Sequence, residues 1–220
     1  MAYILCIETS TTNCSVALVK DKEVIRLKED YDSTYSHAER LHTFIDDVVK
    51  EEGISLKDLS AISISKGPGS YTGLRIGVSA AKGLCFALDI PLVSIPTLQS
   101  LALQVPYKKD SYIIPMIDAR RMEVYSAVFS DSYKEIRETK AEILTDSSFD
   151  KYLQKNKVYF IGNGVEKFSG LCSEKNAVFI QNKLPSANEM GGLSYAKFLK
   201  KDFEDVSYFE PYYLKDFIAG

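Results

Sequence analysis

The order of apolar segments along the 220-residue chain runs through the same pattern twice. Short apolar runs bounded by turn residues predict strands, and longer segments with apolar residues every three or four positions predict helices. The first pass predicts strands at 3–9, 14–19, 23–28, 61–65 and 92–95, and helices at 38–52, 73–88 and 98–105. The second pass predicts strands at 112–117, 123–129, 135–144, 158–161 and 177–180, and helices at 148–153, 165–171 and 187–200. Each pass therefore has the order β-β-β-α-β-α-β-α.

This repeat predicts both the fold class and its division. Glu8 and Asp118 hold matching places, because each lies nine positions before an alanine of the following predicted strand. We interpret the chain as an α/β protein of two duplicated ribonuclease H-like lobes, the actin/hexokinase-like (ASKHA) architecture. The predicted division is an N-terminal lobe at 1–107 and a smaller C-terminal lobe at 108–220. The N-terminal lobe would hold the two helices that are considered below as dimerisation helices. The alternative is that two unrelated α/β halves look alike.

Composition places the chain among ordinary globular proteins and argues against several functions. The formal net charge of −3 disfavours a protein whose whole surface binds nucleic acid, since phosphate binding needs a positive excess. The four cysteines form no C-x-x-C pair, so neither a zinc site nor a disulfide framework is expected. No secretory signal and no membrane-spanning run is visible, so we expect a cytoplasmic protein without a membrane partner.

The segment at 67–75, Gly-Pro-Gly-Ser-Tyr-Thr-Gly-Leu-Arg, follows a predicted strand and opens a predicted helix. Free backbone N–H groups at such a position can receive an anion. A Walker phosphate loop would need Lys and Ser or Thr after its last glycine, and Leu and Arg stand there instead. We therefore interpret the first glycines as a tight turn and Ser70 or Thr72 as the helix cap.

The two longest predicted helices of the first pass are candidates for an interface. The helix at 38–52 has a capping box at Ser36 and Glu39 and a stop at Gly53. Small residues repeat every four positions along the helix at 73–88, which leaves one face almost without bulk. Such a helix is either fully buried in its own domain or shared with a partner helix. If it is shared, the predicted interface comprises His37, Leu41, Ile45, Val48, Gly73, Leu74, Gly77, Ala80, Ala81 and Leu84.

Two hairpins are candidates for a vestigial nucleotide or anion site. Hydroxyl groups cluster after the first strand, but the matching hairpin at 118–123 is bulky and lacks glycine. Glycines normally let the backbone approach phosphates, so we do not expect catalytic ATP turnover. The arginines of the second hairpin would instead pair with neighbouring carboxylates or with a partner's phosphate. The candidate residues are Glu8, Ser10, Thr11, Ser70, Asp118 and Arg120.

His37 and His42 are the only histidines of the chain. Two metal-binding histidines on one helix face stand at positions i and i+4, and Leu41 occupies that position after His37. No G-x-S-x-G elbow and no cysteine–histidine signature of a hydrolase is present. The sequence therefore predicts neither a catalytic residue nor a metal ligand.

Several of these segments together resemble the TsaB (YeaZ) family. The matching segments are IETS at 7–10, SHAERL at 36–41, GPGSYTGLRIG at 67–77, AKG at 81–83, IDARR-x-EVY at 117–125 and P-x-YL at 211–214. They cover nearly the whole chain in order, and the glycine-rich segment is the most specific of them. One departure is Glu8, where the family more often has Asp.

The resemblance implies an actin-like fold and a role without catalysis of its own. The family looks like a shortened, non-catalytic paralogue of TsaD, the catalytic subunit that makes N6-threonylcarbamoyladenosine (t6A) at position 37 of tRNAs reading ANN codons. The resemblance implies an activating subunit that dimerises with TsaD through its first two long helices, forms a homodimer when alone, is joined by the ATPase TsaE and meets tRNA indirectly. TsaD carries a metal-binding His pair, whose second position corresponds here to Leu41. No resident cofactor is expected, and weak ATP or ADP binding at the heterodimer interface is left open.

Two other functions fit the predicted fold. An ATP-dependent small-molecule kinase would turn over ATP alone, against which the glycine-free hairpin and the small second lobe both count. A glycoprotease-like metallopeptidase would need bound metal, which the histidine spacing does not favour. The assembly role is therefore the main hypothesis.

Overall fold

The computed structural model of the chain describes residues 1–31 and 37–215. Its strands are β1 (Tyr3–Glu8), β2 (Cys14–Lys20), β3 (Glu23–Asp30), β4 (Leu59–Ser65), β5 (Leu92–Ile95), β6 (Ser111–Asp118), β7 (Glu123–Ser130), β8 (Glu135–Ile143), β9 (Lys157–Ile161) and β10 (Ala177–Ile180). Its α-helices are α1 (His37–Glu51), α2 (Tyr71–Leu88), α3 (Thr97–Ala102), α4 (Asp150–Leu153), α5 (Val165–Ser169) and α6 (Met190–Leu199). Short 3-10 helices precede β4 (Leu56–Asp58) and α6 (Ala187–Glu189). The predicted order of strands and helices is confirmed in both passes.

Local signals set the ends of the two long helices. Gly53 has a φ of 73° and turns its N–H back onto the last turn of α1, as predicted. The Gly73 N–H donates to Ser70 Oγ at 3.2 Å, which confirms Ser70 as the N-cap of α2. The capping box predicted from Ser36 lies outside the described residues. Neither of these helices, nor another in the described ranges, is long and apolar enough to cross a membrane.

Each pass builds one five-stranded sheet, and the two sheets have the same topology. In the first sheet the order is β3-β2-β1-β4-β5, with antiparallel pairing from β1 to β3 and parallel pairing from β1 to β5. In the second sheet β8-β7-β6-β9-β10 repeats that order and those directions. This duplication confirms two ribonuclease H-like units of the actin/hexokinase-like (ASKHA) fold.

Helices cover both faces of the first sheet. Leu5 and Ile7 of β1 belong to a buried cluster with α1 and α2, whereas Ile4 and Cys6 belong to a cluster with α6. Alternate side chains of a strand point to opposite faces, so β1 is buried on both sides. This double burial explains why β1 reads as a continuous apolar run in the sequence.

The second sheet is covered in the same way by other helices. Ile114 of β6 lies in a cluster with α4 and α5, where the Phe160 and Phe168 rings meet edge to face at 4.9 Å. Ile113 and Ile117, on the opposite face, pack against α3. Each sheet therefore has its own closed core.

The compact units do not follow the predicted division at residue 107. The first unit comprises Met1–Thr97 and the chain from Pro185 onward, and the second comprises Leu98–Leu184. The last helix of each pass covers the sheet built by the other pass: α3 packs in the second unit and α6 in the first. An amphipathic helix shows that one face must be buried but not which sheet will bury it. The predicted lobes at 1–107 and 108–220 are corrected accordingly.

Candidate partner-binding helix and anion-binding turns

The turn after β1 lies directly against the start of α2. Ser70 donates its backbone N–H to the Ser10 carbonyl oxygen at 2.6 Å. A Cβ added to Gly69 would stand 2.3 Å from the same oxygen, so the close approach requires glycine. Thr9 Oγ1 donates to the Gly73 carbonyl at 2.8 Å. The structure therefore brings Ser10 and Ser70 together, as the predicted anion site requires.

The same turn is closed to solvent. Glu8 and Ser10 are fully buried, Thr11 is 3% exposed, and Glu8 Oε1 accepts the Ser10 N–H at 2.6 Å. Glu8 Oε2, Thr11 Oγ1 and Asn13 Oδ1 have no hydrogen-bond partner within the described residues. A carboxyl group among these buried atoms is a poor neighbour for a phosphate. In the first unit, therefore, Glu8, Ser10 and Thr11 form a buried polar cluster rather than an open anion cradle, and Ser70 beside them is half-buried.

Burial favours the neutral form of two ionisable groups near this turn. It raises the pKa of Glu8 above the usual 4.5, and hydrogen bonds from Ser10 oppose that shift. His37 Nε2 lies 2.7 Å from the Thr11 carbonyl oxygen, and burial lowers the pKa of His37 below 6.5. His42, five positions further along α1, is exposed. The two histidines thus stand in different environments and on different sides of the helix, about 140° apart.

The small-residue face of α2 is covered by its own unit. A Cβ on Gly73 would meet the Thr9 carbonyl oxygen at 2.1 Å, and one on Gly77 would meet Thr9 Oγ1 at 2.2 Å. Most of the predicted interface residues are buried among the chain's own side chains: His37, Leu41, Ile45, Val48, Gly73, Leu74, Gly77 and Ala81. Ala80 and Leu84 are half-buried. The interface prediction is corrected for the buried residues, because Thr9, directly after β1, fills the space that was predicted for a partner helix.

The opposite side of α2 is open. Its exposed and half-buried residues follow helical spacing, and together we call them the α2 outer face: Thr72, Arg75, Ile76, Ser79, Gly83 and Phe86. The Phe86 side chain is 87% exposed. A Cβ on Gly83 would meet no atom within 4 Å. The α2 outer face therefore combines a large exposed aromatic ring with a point where another backbone can approach closely.

Sequence reasoning missed this face although the sequence carries a signal for it. Small residues line two sides of α2, and the apolar pattern alone favoured the side with the stricter four-residue repeat. Arg75 and Lys82 mark the solvent side, since charged residues are rarely buried without a partner. Positions close to these charges on the helix surface, such as Ser79 and Phe86, would have followed from that argument.

The chain after α6 runs along one flank of α2. Lys82 Nζ donates to the carbonyl oxygens of Ser207 and Phe209 at 3.2 and 2.9 Å. The Tyr213 ring lies with its centroid 5.0 Å from that of Tyr71 in the first turn of α2. This C-terminal segment braces the side of α2 and leaves Gly83 and Phe86 open.

Asp118 and Arg120 lie in the second unit, in the turn between β6 and β7. Asp118 Oδ1 accepts both the Arg120 backbone N–H and Lys167 Nζ at 2.6 Å. Asn163 Oδ1 accepts the Asp118 N–H at 2.9 Å. The carboxylate is therefore neutralised by a lysine of α5 rather than by the arginine side chains that the sequence suggested.

Comparisons with known proteins agree with this architecture. A family model described as TsaD, tRNA N6-adenosine threonylcarbamoyltransferase, matches residues 32–219. A Haemophilus influenzae protein named tRNA threonylcarbamoyladenosine biosynthesis protein TsaB is 31% identical over 97% of this chain and 93% of its own length. The Escherichia coli protein of the same name is 30% identical over 98% and 96%.

A solved structure gives the same result at the level of the backbone. It is described as an uncharacterized Pseudomonas aeruginosa protein with similarity to peptidase YEAZ, and it covers 98% of this chain and 100% of its own. The TM-score is 0.83 at 25% sequence identity. Fold and family model together define the class, a TsaD-like protein of the actin/hexokinase-like fold. Within this class the chain belongs to the TsaB (YeaZ) family, as its relatives of 30% identity or more over nearly the whole chain establish.

Proposed function

We propose that this chain is a non-catalytic assembly and activating subunit in the biosynthesis of t6A at position 37 of tRNAs that read ANN codons. It pairs with a TsaD-like subunit, which carries out the transfer of the threonylcarbamoyl group to N6 of adenosine. The names of its relatives support the pathway, and the matching family model supports the kinship with the transferase.

The observation that carries the pairing is the α2 outer face. Phe86 is a large aromatic side chain left almost wholly in solvent, and aromatic residues are enriched in protein interfaces. Gly83 lies beside it with open space around its Cα, so a partner helix can come close to the α2 backbone. Arg75, its guanidinium 4.5 Å from the Tyr71 ring centroid, adds a fixed charge at the rim. Together these features fit a helix from a related subunit.

The same face serves a second copy of the chain when the TsaD-like partner is absent. Homodimer and heterodimer then compete for one surface, and each excludes the other. A TsaE-like ATPase joins the assembled pair, and tRNA meets this chain through the complex. The subunit needs no resident cofactor in this role, and any ATP or ADP binds weakly at the heterodimer interface.

The pairing is tested by placing bulk on the α2 outer face. Gly83→Arg fills the open space, whereas Gly192→Arg adds the same side chain to α6, where a Cβ also meets no atom within 4 Å. We expect wild-type chain and the Gly192→Arg control to co-elute with the TsaD-like protein in size-exclusion chromatography. We expect Gly83→Arg to elute alone and to support at most a few per cent of the wild-type rate of t6A formation. Co-elution and full activity of Gly83→Arg would contradict the proposal.

A further inference from the structure

The turn between β6 and β7 holds two consecutive arginines in the left-handed backbone region. Arg120 has a φ of 68° and Arg121 a φ of 48°. This region is disfavoured for residues with a Cβ, and Asp, Asn and Gly are the types that tolerate it. Four of the other positive-φ positions follow that preference and three do not: Asp21, Asp89, Asp110 and Asn182 do, whereas Tyr133, Phe149 and Lys201 do not. Arg120 and Arg121 are the only consecutive pair among these positions in the described residues. Hairpin turns with this backbone favour Asn-Gly, so the two arginines carry a backbone cost that Asn-Gly would avoid.

The charges of this turn are exposed and free to bind. Arg120 and Arg121 are both exposed, and within the described residues neither guanidinium takes part in an ion pair. Asp118, in the same turn, already accepts the Lys167 ammonium at 2.6 Å. Two unpaired guanidiniums therefore stand at the tip of a hairpin whose strands are fixed in the second sheet. Backbone strain of this kind concentrates at functional sites.

The backbone amides of the turn point to the kind of phosphate that would bind. The Ala119 N–H donates to the Glu123 carbonyl, the Glu123 N–H donates to the Arg120 carbonyl, and the Arg120 N–H donates to Asp118 Oδ1. A cradle for a nucleotide polyphosphate needs such amides free. Three of the five amides of residues 119–123 are engaged in this way, and within the described residues the Arg121 and Met122 N–H groups have no recorded acceptor. The turn therefore offers an anion chiefly its two side chains, which suits successive phosphates along a polymer backbone.

We propose that Arg120 and Arg121 form a contact for the phosphodiester backbone of RNA. The inference rests on the proposed function, which brings tRNA to the complex of this chain with its TsaD-like partner. The contact supplies affinity and orientation without reading sequence. It also reconciles RNA binding with a net charge of −3, because the positive charge is concentrated in one turn.

The test measures tRNA binding by the full-length chain in complex with its TsaD-like partner at several salt concentrations. Arg120→Asn combined with Arg121→Gly removes both charges and supplies the residues that the backbone prefers, so Tm should stay unchanged or rise. The slope of log K against log salt is negative, and each lost phosphate contact makes it less negative by about 0.9. We expect the slope of the arginine variant to be shallower by about 2. The fold loss in tRNA affinity relative to wild type should then be about ten times larger at 50 mM salt than at 200 mM.

A matched control removes two other exposed cations from the same unit. Lys108→Asn with Lys109→Gly changes the segment just before β6, whereas the arginines follow the end of that strand, about 25 Å away along it. We expect this control to keep the wild-type slope. An equal change of the salt slope in both double variants would mean a general charge effect. An unchanged slope in the arginine variant would mean no phosphate contact. Either result would overturn the proposal.

Two further measurements separate the remaining explanations. If the arginine variant no longer co-elutes with the TsaD-like protein, the turn binds protein. If the variant loses ATP binding while the salt slope of its tRNA binding is unchanged, the turn binds the phosphates of a nucleotide. Both results would reject the RNA contact. Failure of the proposed function is seen separately, as t6A formation that does not depend on this chain at all.

Discussion

Glycines of the same helix have opposite roles on the two sides of α2. Gly77 faces the core, where its missing Cβ leaves room for Thr9 Oγ1, whereas Gly83 faces open space. A glycine inside a helix lowers stability by about 0.5–1 kcal/mol relative to alanine, unless a neighbouring atom occupies the place of the alanine Cβ. The glycine at position 77 is therefore structural, and the one at position 83 weakens the helix without any packing reason within its own unit.

This contrast gives a first prediction. Gly77→Ala should lower the free energy of unfolding by about 1–3 kcal/mol, because its Cβ would stand 2.2 Å from Thr9 Oγ1 and 3.1 Å from Ile64 Cδ1. Gly83→Ala should raise it by about 0.5–1 kcal/mol. Urea denaturation of the two variants beside wild type measures both. Equal effects would contradict the assignment of one buried and one open side.

Glu8 gives a second prediction, through the pH dependence of stability. Burial raises the Glu8 pKa, so the folded chain keeps a proton that the unfolded chain releases above about 4.5. The free energy of unfolding should therefore fall as pH rises above 4.5, by up to about 1.4 kcal/mol per pH unit from this group. The fall ends at the folded-state pKa.

The measurement compares wild type with Glu8→Gln between pH 4 and 8. Gln keeps an oxygen to accept the Ser10 N–H, and it cannot ionise. We expect the variant to gain stability relative to wild type as pH rises. His37 acts in the opposite sense, since its lowered pKa removes stability as pH falls below 6.5, but it is present in both proteins and cancels in the difference. A difference that stays constant with pH would contradict a buried neutral Glu8.

At the scale of elements, periodicity predicted the strands and helices well and their partners poorly. The order of elements and the cap at Ser70 were confirmed, because they depend on neighbouring residues. The placement of α3 and α6 was wrong, because an apolar stripe does not name the sheet that it covers. The division of α2 into one buried and one open side was missed for a related reason: Gly77 and Gly83 are the same residue type, and only the fold shows which of them meets Thr9.

The placement of α6 gives a third prediction. A fragment of residues 1–107 lacks the helix that covers one face of the first sheet, and so leaves Ile4, Cys6 and Val93 without their cover. We expect this fragment to be insoluble or rapidly proteolysed on its own. Co-expression with a fragment from residue 185 to the C-terminus should restore a protease-resistant first unit.

A co-expressed fragment of 108–184 serves as the control for that experiment. It belongs to the second unit and contains no part of α6. Rescue by this control, or a stable 1–107 fragment without any helper, would show that α6 is not needed to close the first sheet.

At the scale of the whole molecule, the two proposed roles fall in different units. The α2 outer face belongs to the first unit and the arginine turn to the second, and each unit has its own buried clusters. Partner binding and RNA contact should therefore respond to different core substitutions. Phe168→Ala, in the aromatic core of the second unit, and Leu41→Ala, in the core under α1, make a matched pair of fully buried residues.

Each substitution should lower the free energy of unfolding by about 2–5 kcal/mol, and the loss should fall on the unit that contains the substituted residue. In Phe168→Ala we expect faster amide exchange within 98–184, retained co-elution with the TsaD-like protein, and a shallower salt slope for tRNA binding, because β6 and β7 no longer hold the arginine turn in place. In Leu41→Ala we expect faster exchange in α1 and α2 and weaker pairing. Faster amide exchange in both units of Phe168→Ala would show that the two cores unfold together. If Phe168→Ala no longer paired with the TsaD-like protein while the amides of α2 stayed protected, the partner contact would lie outside the α2 outer face.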